Sequence, residues 1–213
     1  MKILVTGFDP FGGESINPSS EVLKLLPKTI LDADIICLTV PTVFNESISV
    51  IEEAILRFDP DVIVSIGQAG GRSAITVERI GINVDDARIK DNAGIQRIDE
   101  PVFSDGPAAY FSTLPIKAMV KNIQDKGISA AVSNTAGTFV CNHVMYGILH
   151  LCATKYLNKR SGFIHIPFLP EQTLNKPQLP SMSLEMICKG IEAALEAIIL
   201  YREDIQVTGG VEH

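Results

Sequence analysis

A thiol, an imidazole and a carboxylate, drawn from three distant stretches of this chain, are the parts a cysteine-dependent acyl transfer requires. Cys141 stands in the run SNTAGTFVCNH, just after a glycine-containing turn, and it opens a stretch in which Met145, Ile148, Leu149 and Cys152 recur at helical spacing. That spacing puts the sulfur at a helix N-terminus, where unpaired N–H groups and the helix dipole stabilise a thiolate and can also hold an oxyanion. An inert, buried thiol is the alternative, since free cysteines are commonly core residues. Cys37, inside an apolar strand, and Cys152 and Cys188, in helical stretches, fit that description and read as core or interface fillers.

A thiol needs a base, and the histidines are His143, His150, His165 and His213. From Cys141, His143 points about 200° and His150 about 180° around a shared helix axis, so neither reaches the sulfur. His213 is the last residue, whereas His165 lies near the carboxyl end of the strand GFIHIP. It is the base by elimination, although a lone strand histidine is more often structural. Glu78, in AITVERIGIN, is the candidate to hold the second imidazole nitrogen. A carboxylate inside a β-branched strand costs roughly several kcal/mol unless paired. Its neighbour Arg79 faces the other side of a strand and is a poor partner.

These residues must be positioned by an alternation of short β-branched runs and amphipathic stretches. KILVTGF, a helix after Asn17-Pro18-Ser19-Ser20, DIICLTV, a helix through about 46–58 and DVIVSIG make a βαβαβ beginning. A helix opening at Pro115, a strand over 128–133, a helix from about Cys141 to Tyr156, GFIHIP and a helix from Ser183 to about Tyr201 continue it. Strands apolar throughout imply burial on both faces, hence an α/β fold: a three-layer α/β/α sandwich around a mostly parallel twisted sheet. In such sheets ligands collect beyond the strand carboxyl ends. GFDPFGG, GQAGGR, SNTAGTFVCNH and HIPFLPEQ follow strands and are expected to meet on one rim. Residues 85–114 lose periodicity and gather Gly, Pro, Asp and Asn, which predicts a long functional loop or a short hairpin.

With 213 residues, 46% hydrophobic and 20% charged, the chain can bury one core, and a single domain over 1–213 is expected, with a frayed tail at about 206–213. A net charge of -7 offers no basic stripe for nucleic acid or an anionic membrane. The amino-terminal apolar run is too short for a signal peptide and no stretch is long enough to span a bilayer, so a cytoplasmic location is expected. The four cysteines show no CxxC or Cys/His ligand spacing, which predicts neither a metal site nor a disulfide framework.

GQAGGRSAITVERIGIN and SNTAGTFVCNH resemble the two active-site signatures of the pyrrolidone-carboxylate peptidase (pyroglutamyl peptidase I) family of cysteine exopeptidases, and GFDPFGG, GFIHIPFLPEQ and PSMS fall in that family's order. The resemblance runs from end to end. It implies hydrolysis of the bond after an N-terminal pyroglutamyl residue, with Glu78, Cys141 and His165 on the triad positions, no cofactor or metal, and a homotetramer. It further implies that Phe8 and Phe11 contact the lactam, that Gln68, Phe139 and Val140 help form the pocket, and that Arg88 lies near the oxyanion or triad. Lys90 departs from the pattern where a proline is expected, which would leave that loop less stiff.

Pyroglutamate is a neutral lactam with one N–H, one carbonyl and an apolar ring, so its pocket should be apolar with a few placed hydrogen bonds. Phe8 and Phe11, three apart on one loop, would clamp the ring, and peptide groups near Gln68 would meet its polar atoms; two core phenylalanines shielding a sheet end are the plainer alternative. Competing functions are a phosphate-dependent nucleoside phosphorylase-like enzyme, given the topology and glycine-rich strand ends, and a non-catalytic binder of pyroglutamyl termini.

Overall fold

The structure, a computed structural model, describes residues 1–210. In chain order the elements are β1 (Lys2–Phe8), α1 (Pro18–Leu25), β2 (Thr29–Ile30), β3 (Ala33–Val40), α2 (Glu46–Phe58), β4 (Val62–Gln68), β5 (Ile75–Glu78), β6 (Ile80–Ile82) and β7 (Ala109–Phe111). There follow α3 (Ile116–Asp125), β8 (Ala130–Ser133), α4 (Val140–Thr154), β9 (Arg160–Ile166), α5 (Pro170–Thr173) and α6 (Leu184–Leu200). Local chemistry sets the helix starts. Asn17 caps α1 by accepting from the Ser19 N–H with Pro18 in the first turn, and Ser183 caps α6 by accepting from the Met186 N–H.

Seven strands form one sheet in the order β2-β3-β1-β4-β9-β5-β8. The ladders β1/β3, β1/β4, β4/β9 and β5/β8 are parallel, while β2/β3 and β5/β9 are antiparallel. The mostly parallel sheet is therefore present, but β5 and β8 run against the other long strands. The stretch AITVERIGIN also divides at Arg79: β5 stays in the sheet, and β6 leaves it to pair with β7.

Strand alternation sends side chains to two separate cores. On one face Ile3, Val5, Val64, Ile66, Ile75, Val77, Ile164 and Ile166 pack with residues of α1, α3 and α6. On the other Leu4, Phe8, Ile63 and Phe163 pack with residues of α2 and α4. Among the described residues these make the expected three layers. Cys152 and Cys188 are buried as expected, but Cys37 is exposed. It lies on β3, which has only the two-residue β2 outside it.

Residues 85–114 are a loop closed at its end by the β6/β7 ribbon, and buried carboxylates order it. Asp91 accepts from the N–H groups of Phe44, Ala93 and Ile95. Of the expected tail, residues 206–210 lie against the body, where the Gly209 carbonyl accepts from Arg79, and 211–213 lie outside the described residues.

Candidate active site

Register brings the imidazole and the carboxylate together. Thr76 of β5 lies opposite His165 of β9, and Glu78, two residues on, shares the Thr76 side of its strand. The Glu78 side chain is thus the diagonal neighbour of His165 on the face toward α4. His165 Nδ1 and Glu78 Oε1 are 2.7 Å apart, with Glu78 fully buried and His165 nearly so. Arg79, as its parity requires, turns away and binds Asn134 and the Gly209 carbonyl.

Glu78 has a second partner. Arg72, in the loop between β4 and β5, places Nη1 2.5 Å from the same Glu78 Oε1 and 2.6 Å from Thr76 Oγ1, and donates through Nη2 to the Thr135 carbonyl at 3.0 Å. Sequence reasoning passed over this residue, because GQAGGR reads as a glycine-rich turn. The signal available was the buried carboxylate itself, which needed a cation nearby once Arg79 was excluded.

Three successive residues at the start of α4 point three ways, as a turn of about 100° per residue demands. Asn142 donates to the Ile82 and Val84 carbonyls and accepts from the Ile82 N–H. His143 turns to Asp85. Cys141 turns toward the sheet, where a Cβ built on Gly67 would stand 2.8 Å from its Sγ and 2.8 Å from the Phe163 ring. Gly67 is the register partner of His165 across β4 and β9. The sulfur therefore lies over the one side-chain-free position directly beside the imidazole. Any larger residue at Gly67 would displace it.

Protonation follows from burial. Burial first, then the field of Glu78, pushes the Cys141 thiol up to about 12, while Arg72 pulls it the other way. Burial also holds His165 below the ordinary histidine value, against the hydrogen bond and charge of Glu78. Burial raises Glu78, but the hydrogen bond and charge of His165, together with Arg72, outweigh it and hold the carboxyl below the usual range. The resting arrangement is a neutral thiol beside a neutral imidazole whose Nδ1–H is given to an ionised carboxylate. A standing thiolate, expected from the helix N-terminus alone, is not favoured. No side chain caps the start of α4, so its N–H groups are available to an oxyanion.

Cys141 and His165 open on a cavity of about 840 Å³ lined also by Phe11, Gln68, Arg72, Arg88 and Phe139. All four expected strand-end segments contribute to it, although β8 runs the opposite way and the 134–139 loop must carry the chain to the cavity. Phe11 and Phe139 touch, with centroids 6.0 Å apart, and form one apolar wall. Phe8 is a correction: it ends β1 on the Leu4 side of the strand and packs in the core against Phe163, behind the wall. Val140 is likewise fully buried in that core and does not line the cavity. Arg88 is exposed at the cavity rim. Gln68 accepts from Gln172 Nε2 at 2.8 Å through its oxygen, which leaves its NH₂ free for the cavity. Among the described residues no group of three or more His, Cys, Asp or Glu could hold a metal ion, and no helix is long and apolar enough to cross a membrane.

Comparison with known proteins agrees with this geometry. The family model described as pyroglutamyl peptidase matches residues 1–201. Pyrrolidone-carboxylate peptidase of Finegoldia magna is 61% identical over 213 residues, covering 100% of both chains, and that of Treponema denticola is 62% identical over 214 residues, covering 99% of each. The crystal structure of pyroglutamyl peptidase I from Bacillus amyloliquefaciens superposes with a TM-score of 0.95 at 49% identity, covering 97% of this chain and 99% of that one. A mutant pyrrolidone carboxyl peptidase from Pyrococcus furiosus superposes with a TM-score of 0.90 at 46% identity, covering 94% and 99%. Nothing among these relatives supports a nucleoside phosphorylase. A cysteine set over a glycine beside a histidine–glutamate pair, in a chain matched from end to end by such relatives, makes this protein a member of the pyroglutamyl peptidase family of cysteine-type hydrolases.

Proposed function

We propose that the chain removes an N-terminal pyroglutamyl residue from peptides through a thioester on Cys141. His165 Nε2 takes the Cys141 proton as sulfur bonds to the pyroglutamyl carbonyl carbon, and N–H groups at the start of α4 hold the oxyanion. The C–N bond breaks and the departing amine takes that proton from His165. Water then gives a proton to His165 as its oxygen bonds to the same carbon, the C–S bond breaks, and sulfur recovers the proton. Glu78 holds the imidazole tautomer and steadies the imidazolium.

The observation that carries this reading is the sulfur of Cys141 over Gly67, beside an imidazole whose other nitrogen is committed to Glu78. The Phe11–Phe139 wall suits the lactam ring, and the free NH₂ of Gln68 suits its carbonyl. Arg88, lining the same cavity as Cys141 and His165, suits the family's arginine near the oxyanion or the triad. The family resemblance supports a homotetramer of single-domain subunits, 1–213, and the acidic charge with the absence of a membrane-length helix among the described residues suits the cytoplasm.

The test is turnover of a pyroglutamyl amide beside the matching prolyl and glutamyl amides. The pyroglutamyl amide should be cleaved and the other two spared, because prolyl lacks the lactam carbonyl and both competitors carry a charged amine. Cys141→Ser should abolish that turnover with the fold intact, and equal cleavage of all three amides would remove the lactam assignment.

A further inference from the structure

Arg72 sits where a triad usually ends. Its Nη1 shares Glu78 Oε1 with His165 Nδ1 and also donates to Thr76 Oγ1 on the strand opposite His165, and its Nη2 donates to the Thr135 carbonyl in the segment leading to Cys141. The guanidinium therefore ties β5, which carries the carboxylate and pairs with the strand of the imidazole, to the segment that leads to the thiol. Glu78 is fully buried, and its Oε1 meets both the guanidinium and the imidazole. Without the nearby cation a carboxylate so buried, and the imidazole paired with it, would together take up a proton more readily.

Resting on the triad reading above, we propose that Arg72 is a positioning residue for the reaction: its charge opposes a proton on the Glu78–His165 pair, and its planar fork fixes β5 against the segment that leads to Cys141. A lysine would supply the charge without the fork, since an ammonium cannot present two coplanar donors. The side chain is 29% exposed and lines the cavity, so it can be replaced without opening a core void.

The charges facing His165 are Glu78 from β5, Arg72 from the β4–β5 loop and the Cys141 thiol from α4; Glu14, Asp86 and Arg88 lie farther out around the same cavity. Arg72 opposes a proton on His165. Removing it makes the Glu78–His165 pair more basic as a unit, and the acid limb of kcat/KM moves to higher pH.

The experiment is the pH profile of pyroglutamyl amide turnover for the whole enzyme, Arg72→Gln and Arg72→Lys. Arg72→Gln should raise the midpoint of the acid limb by about one pH unit, lower the plateau kcat about 100-fold and change KM by less than about threefold. Arg72→Lys should leave the midpoint within about 0.3 unit of wild type and lower kcat about tenfold, as loss of the fork alone predicts. Titration of the His165 imidazole by NMR in Cys141→Ser, with and without Arg72→Gln, reads the same shift without turnover. An unmoved midpoint in both measurements, with kcat merely reduced, would make Arg72 a structural brace and overturn the proposal while leaving the triad intact. If Arg72→Gln does not fold, Arg72→Lys decides: wild-type kcat there overturns the fork. Activity surviving Cys141→Ser would instead defeat the triad reading itself.

Discussion

Two histidine–carboxylate–arginine sets are buried in this molecule, one at His165 with Glu78 and Arg72, the other at His143 with Asp85 and Arg97. In each, one carboxylate oxygen meets both the imidazole and the guanidinium: Glu78 Oε1 faces His165 Nδ1 and Arg72, and Asp85 Oδ2 faces His143 Nδ1 at 2.8 Å and Arg97 Nε at 3.2 Å. In each the second carboxylate oxygen has no hydrogen-bond partner among the described residues. They differ at the other imidazole nitrogen. His143 Nε2 accepts the Asn45 N–H at 2.9 Å, so both its nitrogens are spent on structure. His165 gives only Nδ1 to the protein and keeps Nε2 toward the cavity and Cys141. A buried ion pair thus makes a rigid imidazole in both places, and a free second nitrogen is what converts rigidity into reactivity.

The structural set also holds strain. Asn45 has φ 61 and ψ -47, the middle of a tight turn closed by the Glu46 N–H on the Phe44 carbonyl at 2.7 Å. Phe44 packs edge-on against both His143 and Phe139, so the turn, the second histidine and the cavity wall are one packed unit. The His143 set shapes the pocket without touching the reaction.

The sharpest separation should come from deleting each imidazole. His165→Ala should lower pyroglutamyl amide turnover by about 10³-fold or more. His143→Ala should cost about 3 kcal/mol of stability in urea unfolding while lowering kcat per folded molecule by less than about tenfold. Comparable turnover losses in the two variants would erase the distinction. A second pair exchanges the carboxylates: Glu78→Gln should lower kcat about 100-fold with a modest stability loss, because the partly exposed Arg72 can turn to water. Asp85→Asn leaves the more buried Arg97 with only the half-exposed Glu100 as a carboxylate partner and should lose about 3 kcal/mol, read by the same unfolding.

Acidity gives a smaller effect. Neutral His165 is the working form and burial disfavours its protonation, so kcat/KM should hold through neutral pH and fall with a midpoint below 6.5. The same depressed value makes His165 contribute stability that is present above the unfolded histidine value and is lost as pH falls toward the folded one. A midpoint above 6.5 would mean that the Glu78 charge overrides burial. Smallest is Asn45→Gly, which relaxes the turn and gives up the 3.3 Å contact of Arg97 with Asn45 Oδ1; stability should change by less than about 1 kcal/mol, checked by thermal unfolding.

The sequence by itself determined the layered α/β plan, because unbroken apolar runs such as KILVTGF and DVIVSIG need burial on two faces and the intervening amphipathic stretches supply the cover. It also determined Cys141 at a helix start and His165 at a strand end, since both follow from local periodicity. Glu78 stood out as a charge with no local partner. The direction of β5 and β8, the split of AITVERIGIN at Arg79, and the inward burial of Phe8 were decided by long-range pairing, which no local pattern encodes. Arg72 and Gly67 became legible only in three dimensions: one acts through a carboxylate reached across a loop, the other through the side chain it lacks beside a strand paired far along the chain. Residue types and spacing record what each segment does with its own neighbours; which imidazole keeps a nitrogen free depends on what the fold brings to it from elsewhere.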